Sequence, residues 1–197
     1  MYIFGVTGKS GTGKSTFSKL LSEKYINYKI VNIDKLGHLA LKEETVLNGL
    51  TKEFGIGILN TDGSINRKKL GEFVFLNSTN MDYLTELTWG FMEKEINIIL
   101  DNNNTNVVIL EWILLPTVEL WNKCDTKILL HSDDLERKNK VLERDNVSEE
   151  YFNKRDNSSV DYSTYHFDYI IKNNYIDDEL ELIVHNIYNE LSLPKED

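Results

Sequence analysis

Residues 8–15 read Gly8-Lys9-Ser10-Gly11-Thr12-Gly13-Lys14-Ser15, which satisfies the pattern G-x-x-x-x-G-K-[ST] without a mismatch. Glycines let a backbone curl until consecutive N–H groups converge on one point, where side chains would otherwise intrude. The flanks agree with that reading. Tyr2–Thr7 is an apolar, strand-like run, and Phe17, Leu20, Leu21 and Lys24 recur at helical spacing after the loop. A helix beginning near Lys14 points the positive end of its dipole, about half an elementary charge, at the loop. Strand, loop and helix together are built to hold phosphate groups. Gly8, Gly11, Thr12 and Gly13 form the cradle, and Lys14 reaches the β- and γ-phosphates of a nucleotide. The Ser15 hydroxyl coordinates Mg²⁺, and Thr16 adds a contact to the α-phosphate. Lys9 is open to the same work or to that of a solvated loop lysine.

Outward from the loop, short apolar runs alternate with longer helical stretches. Lys29–Ile33, Val107–Leu110, Thr126–Leu130 and Tyr169–Lys172 join Tyr2–Thr7 as strands, nearly continuous in hydrophobicity as strands covered on both faces are. A last helix runs over about Asp178–Leu191. The expected fold is α/β: a P-loop NTPase three-layer sandwich with a five-stranded parallel sheet, a helical substrate-binding insertion and a lid. Its nucleotide-binding core takes residues 1–40, 104–131 and 164–197. Residues 41–103, read as helices Leu41–Phe54, Arg67–Leu76 and Met81–Leu100, exceed what a crossover needs and form the insertion. The turn Asn60-Thr61-Asp62-Gly63-Ser64 separates the first two of these helices. The charged stretch 132–163 forms the lid.

Composition narrows the partners. In 197 residues, Lys+Arg 22 against Asp+Glu 32 leaves a net charge of −10, which repels nucleic acids and anionic membranes. The longest apolar stretch, Val107–Leu115, is broken by Glu111 and falls short of the roughly 20 residues a spanning helix needs. No targeting segment is evident, so neither nucleic acid nor membrane is expected and the expected location is the cytoplasm. The single cysteine, Cys124, excludes an intramolecular disulfide and fits a reducing compartment.

Further candidates sit at strand ends, where ligands of doubly wound sheets bind. Asp34 follows Ile33 at the end of the second strand. A carboxylate there can take a proton from an attacking hydroxyl or help hold a metal, and it can equally cap a helix. Glu111 closes the third strand, resembling a carboxylate that holds Mg²⁺ through water; a surface salt bridge is the plainer alternative. In the lid, Arg137, Lys140 and Arg144 share one helix face at i, i+3 and i+7, with Leu135 and Leu142 on the other. Such a stripe neutralises phosphate charge when a lid closes, and Arg155 can join it. The same residues could instead pair with Glu136 and Glu143 on a solvated helix. Asn122-Lys123-Cys124-Asp125 fits the N-K-x-D guanine pattern but precedes a strand instead of following one, so it reads as a chance tetrapeptide.

Along nearly its whole length the sequence resembles the dephospho-CoA kinase family. Ile3-Phe4-Gly5-Val6-Thr7-Gly8 through Gly13-Lys14-Ser15-Thr16 looks like that family's start, and Val31-Asn32-Ile33-Asp34-Lys35-Leu36-Gly37-His38 like its second-strand motif. Phe54-Gly55, Ile58-Leu59, Asp62-Gly63-Ser64-Ile65-Asn66-Arg67 and Leu70 to Val74-Phe75 are similar to its most distinctive internal stretch. Arg144-Asp145, Ser148-Glu149-Glu150 and Arg155 resemble its lid, and Phe167-Asp168-Tyr169-Ile170-Ile171-Lys172-Asn173 its late strand. The resemblance implies ATP-dependent phosphorylation of the ribose 3′-hydroxyl of dephospho-CoA, giving coenzyme A, with ATP and Mg²⁺ as cofactors. It implies Asp34, Lys14 and Arg144 as catalytic residues and Asn173 beside the adenine. Asp34, Arg67 and Trp89 fall to the acceptor, and Ser15 and Glu111 to the metal.

The departures touch the acceptor pocket, the metal side and the lid. Trp89-Gly90 stands where the family has His-Pro, and Glu111-Trp112-Ile113-Leu114-Leu115 where it has Asp-x-Pro-Leu-Leu. Lys140 replaces a lid arginine, and Ser159 the glutamine expected after Arg155. A kinase for another small hydroxyl acceptor, and a nucleotide-binding module with little turnover, therefore remain as alternatives. Oligomeric state is not readable from the sequence.

Overall fold

Five short runs rich in Val and Ile become the strands β1 (Tyr2–Thr7), β2 (Tyr28–Asn32), β3 (Val107–Glu111), β4 (Thr126–His131) and β5 (Tyr169–Lys172). All pairings are parallel, in the order β2-β3-β1-β4-β5. The structure is a computed structural model and describes residues 1–102, 104–157 and 160–191. Ser159 lies outside the described residues.

The helices are α1 (Lys14–Ser22), α2 (Ile33–Ala40), α3 (Glu44–Phe54), α4 (Arg67–Val74), α5 (Ser78–Leu100), α6 (Asp134–Asp145), α7 (Glu149–Asn157) and α8 (Asp177–Leu191). The described residues divide into two compact units, one of Met1–Asn32 with the chain from Leu100 onward, the other of Ile33–Ile99. The divisions fall at 33 and 99, where the sequence pattern puts them at 41 and 103. Helices α6 and α7 belong to the first unit.

The first unit is organised by the sheet. All five residues of β3, the strand between β2 and β1, are buried, which explains its unbroken apolar run up to Glu111. Phe4, Val6, Ile109 and Ile128 pack with Phe17 and Leu21 of α1 and with Leu180, Val184 and Ile187 of α8. The second unit has a core of its own, in which Val46 and Leu50 of α3 meet Ile58, Ile65 and Leu70 and Val74 of α4. Its turn closes through the Asn60 amide on the Ser64 carbonyl at 2.8 Å, with Gly63 at φ 83°. Asn66 then caps α4, its side chain accepting from the Lys69 amide at 3.1 Å, which sets Arg67 at the first helical position.

Three local readings are corrected. The second strand ends at Asn32, and Ile33 begins α2 without an intervening loop, so Asp34 sits in a helical first turn instead of closing a strand. The helix expected from Leu41 begins at Glu44. On α6 the buried residues are Arg137 and Val141, while Leu135 is 66% exposed; the apolar face read from Leu135 and Leu142 is not the packed one. An arginine whose charge is neutralised can be buried in place of a leucine, and hydrophobic periodicity gives no warning of it.

The N-K-x-D stretch serves the sheet. The Asp125 carboxylate accepts from the Ile3 amide at 2.7 Å, and the Asp125 amide donates to the Ile3 carbonyl at 2.8 Å. Trp112 and Trp121 are buried, as packing residues are. No described helix is long and apolar enough to cross a membrane.

Candidate active site

The loop between β1 and α1 is held by close backbone approaches. Gly13, the N-cap of α1, sits at φ 89° and offers no side-chain acceptor to the first-turn amides. A Cβ on Gly13 would lie 2.2 Å from Asn173 Nδ2, and one on Gly8 (φ 141°) would lie 2.2 Å from the Leu130 carbonyl. At both positions geometry and space exclude a side chain. Thr12 is buried, its hydroxyl donating to the Lys9 carbonyl at 2.9 Å. Lys14 Nζ folds over the loop and donates to the carbonyls of Gly8 (2.8 Å) and Lys9 (3.0 Å). Ser15 and Thr16 are exposed in the first turn of α1.

Asn173 is a loop support. Its buried amide donates to the Thr12 carbonyl at 3.0 Å, and its Oδ1 accepts from the Tyr175 amide at 2.8 Å. Tyr175, at φ 59°, donates its hydroxyl to the Gly11 carbonyl at 3.0 Å.

On the other flank, Ser15 Oγ donates to Glu111 Oε1 at 2.7 Å, and the Asn32 side-chain amide donates to the same oxygen. Glu111 is 2% exposed, and its Oε2 is buried with no hydrogen-bond partner among the described residues. A surface salt bridge is thereby ruled out for this residue. A buried carboxylate oxygen beside a hydroxyl is the hard, oxygen-only donor set that Mg²⁺ takes, usually keeping several waters, so these residues fit the ion. Among the described residues no group of three or more His, Cys, Asp or Glu side chains forms an all-protein metal cage.

Two basic residues of α6, Arg137 and Arg144, reach Ser10 of the loop. Arg137 is 2% exposed; its guanidinium donates to Asp156 (2.7 and 2.9 Å), to Asp134 (2.9 and 3.3 Å) and to the Ser10 carbonyl (3.2 Å). Burial opposes its charge, but the bonds from Asp156 and Asp134 outweigh that and raise its pKa. Burial also pushes the Asp156 carboxyl up, and Arg137 with Lys9 more than reverses this, leaving it below the usual carboxylate range. Lys9 Nζ lies 3.3 Å from Asp156. Arg137 is thus a strut between lid and loop, with its donors already engaged. Arg144 pairs with its neighbour Asp145 (2.7 and 2.9 Å) and reaches Ser10 Oγ at 3.5 Å. That pairing, aided by Arg155 at 3.5 Å, holds the Asp145 carboxyl low. Lys140 Nζ stands 4.4 Å from the centre of the Tyr175 ring. Beside Lys9 and Asp156 a cavity of about 500 Å³ opens, also lined by Asp161, Tyr162 and Ser163.

The acceptor candidates lie in the second unit. Asp34 and Arg67 are exposed, and Arg67 Nη1 is 3.0 Å from His38 Nδ1. A Cβ on Gly37 would lie 3.4 Å from Met92 Sδ, so α2 runs close to α5; Trp89, half-buried, precedes Met92 by one turn.

The sequence profile described as dephospho-CoA kinase matches residues 2–178. The chain belongs to the dephospho-CoA kinase family. Dephospho-CoA kinase of Aquifex aeolicus is 31% identical over 192 residues, spanning 95% of this chain and 96% of that one. The enzyme of that name from Dehalococcoides mccartyi is 38% identical over 101 residues, about half of each chain. The solved dephospho-CoA kinase of Campylobacter jejuni aligns over 98% of both chains with a TM-score of 0.58 at 24% identity, a likeness of fold. ATP use follows from membership of this kinase family.

Asp156, Tyr175 and Asn32 were not among the candidates from sequence. Asp156 and Arg137 are separated by 19 positions and meet because α7 folds back beside α6, which no local spacing encodes. Asn32 is legible once strand register is known, since it pairs directly with Glu111 across β2 and β3.

Proposed function

We propose that this chain transfers the γ-phosphoryl group of ATP to the ribose 3′-hydroxyl of dephospho-CoA, giving coenzyme A and ADP. The observation that carries the reading is the family match across residues 2–178, which runs through the whole second unit and not the phosphate loop alone. Lys14 and the first-turn amides of α1 hold the β- and γ-phosphates, and Thr16 and Asn173 lie toward the nucleoside side. Ser15 and, through water, Glu111 would hold Mg²⁺, which supplies charge neutralisation on the phosphates.

Asp34 stands two residues past the carboxyl end of β2 and takes the proton as the 3′-oxygen bonds to phosphorus and the bond to ADP breaks. Arg144, with Lys140 and Arg155, stabilises charge on the group in transit, while Arg137 keeps the loop and lid in register. Arg67 and Trp89 belong to the acceptor pocket. Residues 132–163 act as the lid and the helical stretch beginning near 41 as the acceptor part. The net charge of −10 opposes nucleic acid and a membrane as partners and leaves room for a small polyanion held where Lys14 and the basic residues of the lid converge, and the lone cysteine fits a cytoplasmic location.

Trp89 favours one other reading, a different hydroxyl acceptor, because a bulky indole there would reshape the pocket. Incubation with Mg-ATP and a panel of alcohols, dephospho-CoA among them, decides. ADP formation with dephospho-CoA is expected; turnover confined to another alcohol, or nucleotide binding without turnover, would replace this reading.

A further inference from the structure

Glu111 is more tightly oriented than a strand-end carboxylate needs to be. Two donors, the Ser15 hydroxyl and the Asn32 side-chain amide, converge on Oε1, and the second oxygen is buried with no hydrogen-bond partner among the described residues. The register of the sheet brings the two residues side by side. Asn32 and Glu111 are Cα partners across the parallel β2–β3 pair, so their side chains leave the same face side by side. Asn32 is the last residue of its strand, and it meets Glu111 where the chain turns into α2.

A carboxylate with both oxygens in water rotates freely about its last bond. With Oε1 fastened from two directions, Oε2 has one fixed heading, and burial keeps bulk water from satisfying it. A carboxylate held in one orientation beside the Ser15 hydroxyl is preorganised for a divalent cation. The Ser15 hydroxyl fits the same scheme, because its proton goes to Glu111 while its oxygen lone pairs stay available to a metal.

We infer that Asn32 is a positioning residue for the divalent cation: its amide fixes the orientation of the Glu111 carboxylate beside the Ser15 hydroxyl. This rests on the proposal that Ser15 and Glu111 hold Mg²⁺. An amide suits the role where a second carboxylate would not, because it donates to Glu111 and adds no like charge beside it. Groups that orient a metal's ligands in this way are worth about 10–100-fold in metal affinity.

The test is calorimetric and needs no turnover. ADP binding to the full-length chain is measured with Mg²⁺ and with chelator, in the wild type and in Asn32→Ala and Asn32→Leu, alongside thermal melting. Binding of Mn²⁺ to the ADP complex is followed in parallel by electron paramagnetic resonance. Both variants are expected to bind metal-free ADP as the wild type does and to lose about 10–100-fold of the Mn²⁺ affinity. Unchanged Mn²⁺ affinity in a folded variant overturns the role of Asn32. Equal weakening of ADP with and without metal overturns it too, because that is the mark of a structural residue. If the wild type itself shows no metal enhancement of ADP binding, the failure lies instead with the metal assignment to Ser15 and Glu111.

Discussion

The phosphate loop and the acceptor-side residues are built in opposite ways. Around the loop, chemistry is set by buried and bonded groups: Asn173 on the Thr12 carbonyl, Glu111 on Ser15, and Arg137 on the Ser10 carbonyl. In the second unit, Asp34 and Arg67 stand exposed at the starts of helices α2 and α4. Holding phosphates requires a preorganised array of donors, which rigidity supplies. Admitting and releasing an acceptor requires side chains that solvent can reach. Substitutions on the acceptor side should therefore alter turnover with little loss of stability, and those at the loop supports should do the reverse.

The largest effect expected is on turnover. Asp34→Asn should lower kcat by about 10²–10⁴-fold, the contribution of a general base, while ATP affinity and unfolding midpoint stay at wild-type values. Steady-state kinetics beside calorimetry checks this, and unchanged turnover removes Asp34 from the proton transfer. Lys14→Ala sharpens the contrast from the loop side: a loss of about 10²–10³-fold in kcat with weakened ATP binding, as for removal of one preorganised donor. Wild-type ATP affinity in that variant would break the loop assignment.

Asp156→Ala probes a support without touching the expected reacting atoms. Removing one partner of a buried pair costs about 3–5 kcal/mol; the lower end is expected because Asp134 still holds one edge of Arg137. Denaturant unfolding at neutral pH measures it. The sign with pH is fixed by the lowered carboxyl of Asp156. Its contribution is complete above the unfolded value of about 3.9 and is lost as pH falls through the lower folded value. The gap between wild type and variant should accordingly narrow below about pH 4. A gap independent of pH would mean that the pairing contributes nothing through its charge. Leu135→Ser gives the smallest effect, within about 0.5 kcal/mol, because Leu135 is 66% exposed; a large loss would restore it to the packed face.

What the sequence showed and what it hid follow from where each signal lives. The loop was legible because glycine spacing, an apolar strand and an amphipathic helix are all local, and the five strands declared themselves through their apolar runs. The α6 face was misread because Arg137 is buried by partners on α7 and on the loop, and no periodicity records distant partners. The second strand ends one residue before the apolar run does, since Ile33 extends that run while already turning into helix. Glu111 stood out by type and place, but its orientation by Asn32 needed the register of two strands far apart in sequence.

The central claim concerns which atom receives the phosphoryl group. Incubating the chain with Mg-ATP and dephospho-CoA, and locating the new phosphate by phosphorus and proton resonance, tests it most directly. A monoester on the ribose 3′-oxygen, formed in step with ADP and nearly lost in Asp34→Asn, is the predicted result. ADP released while dephospho-CoA stays unmodified, or phosphate at any other position, would contradict it.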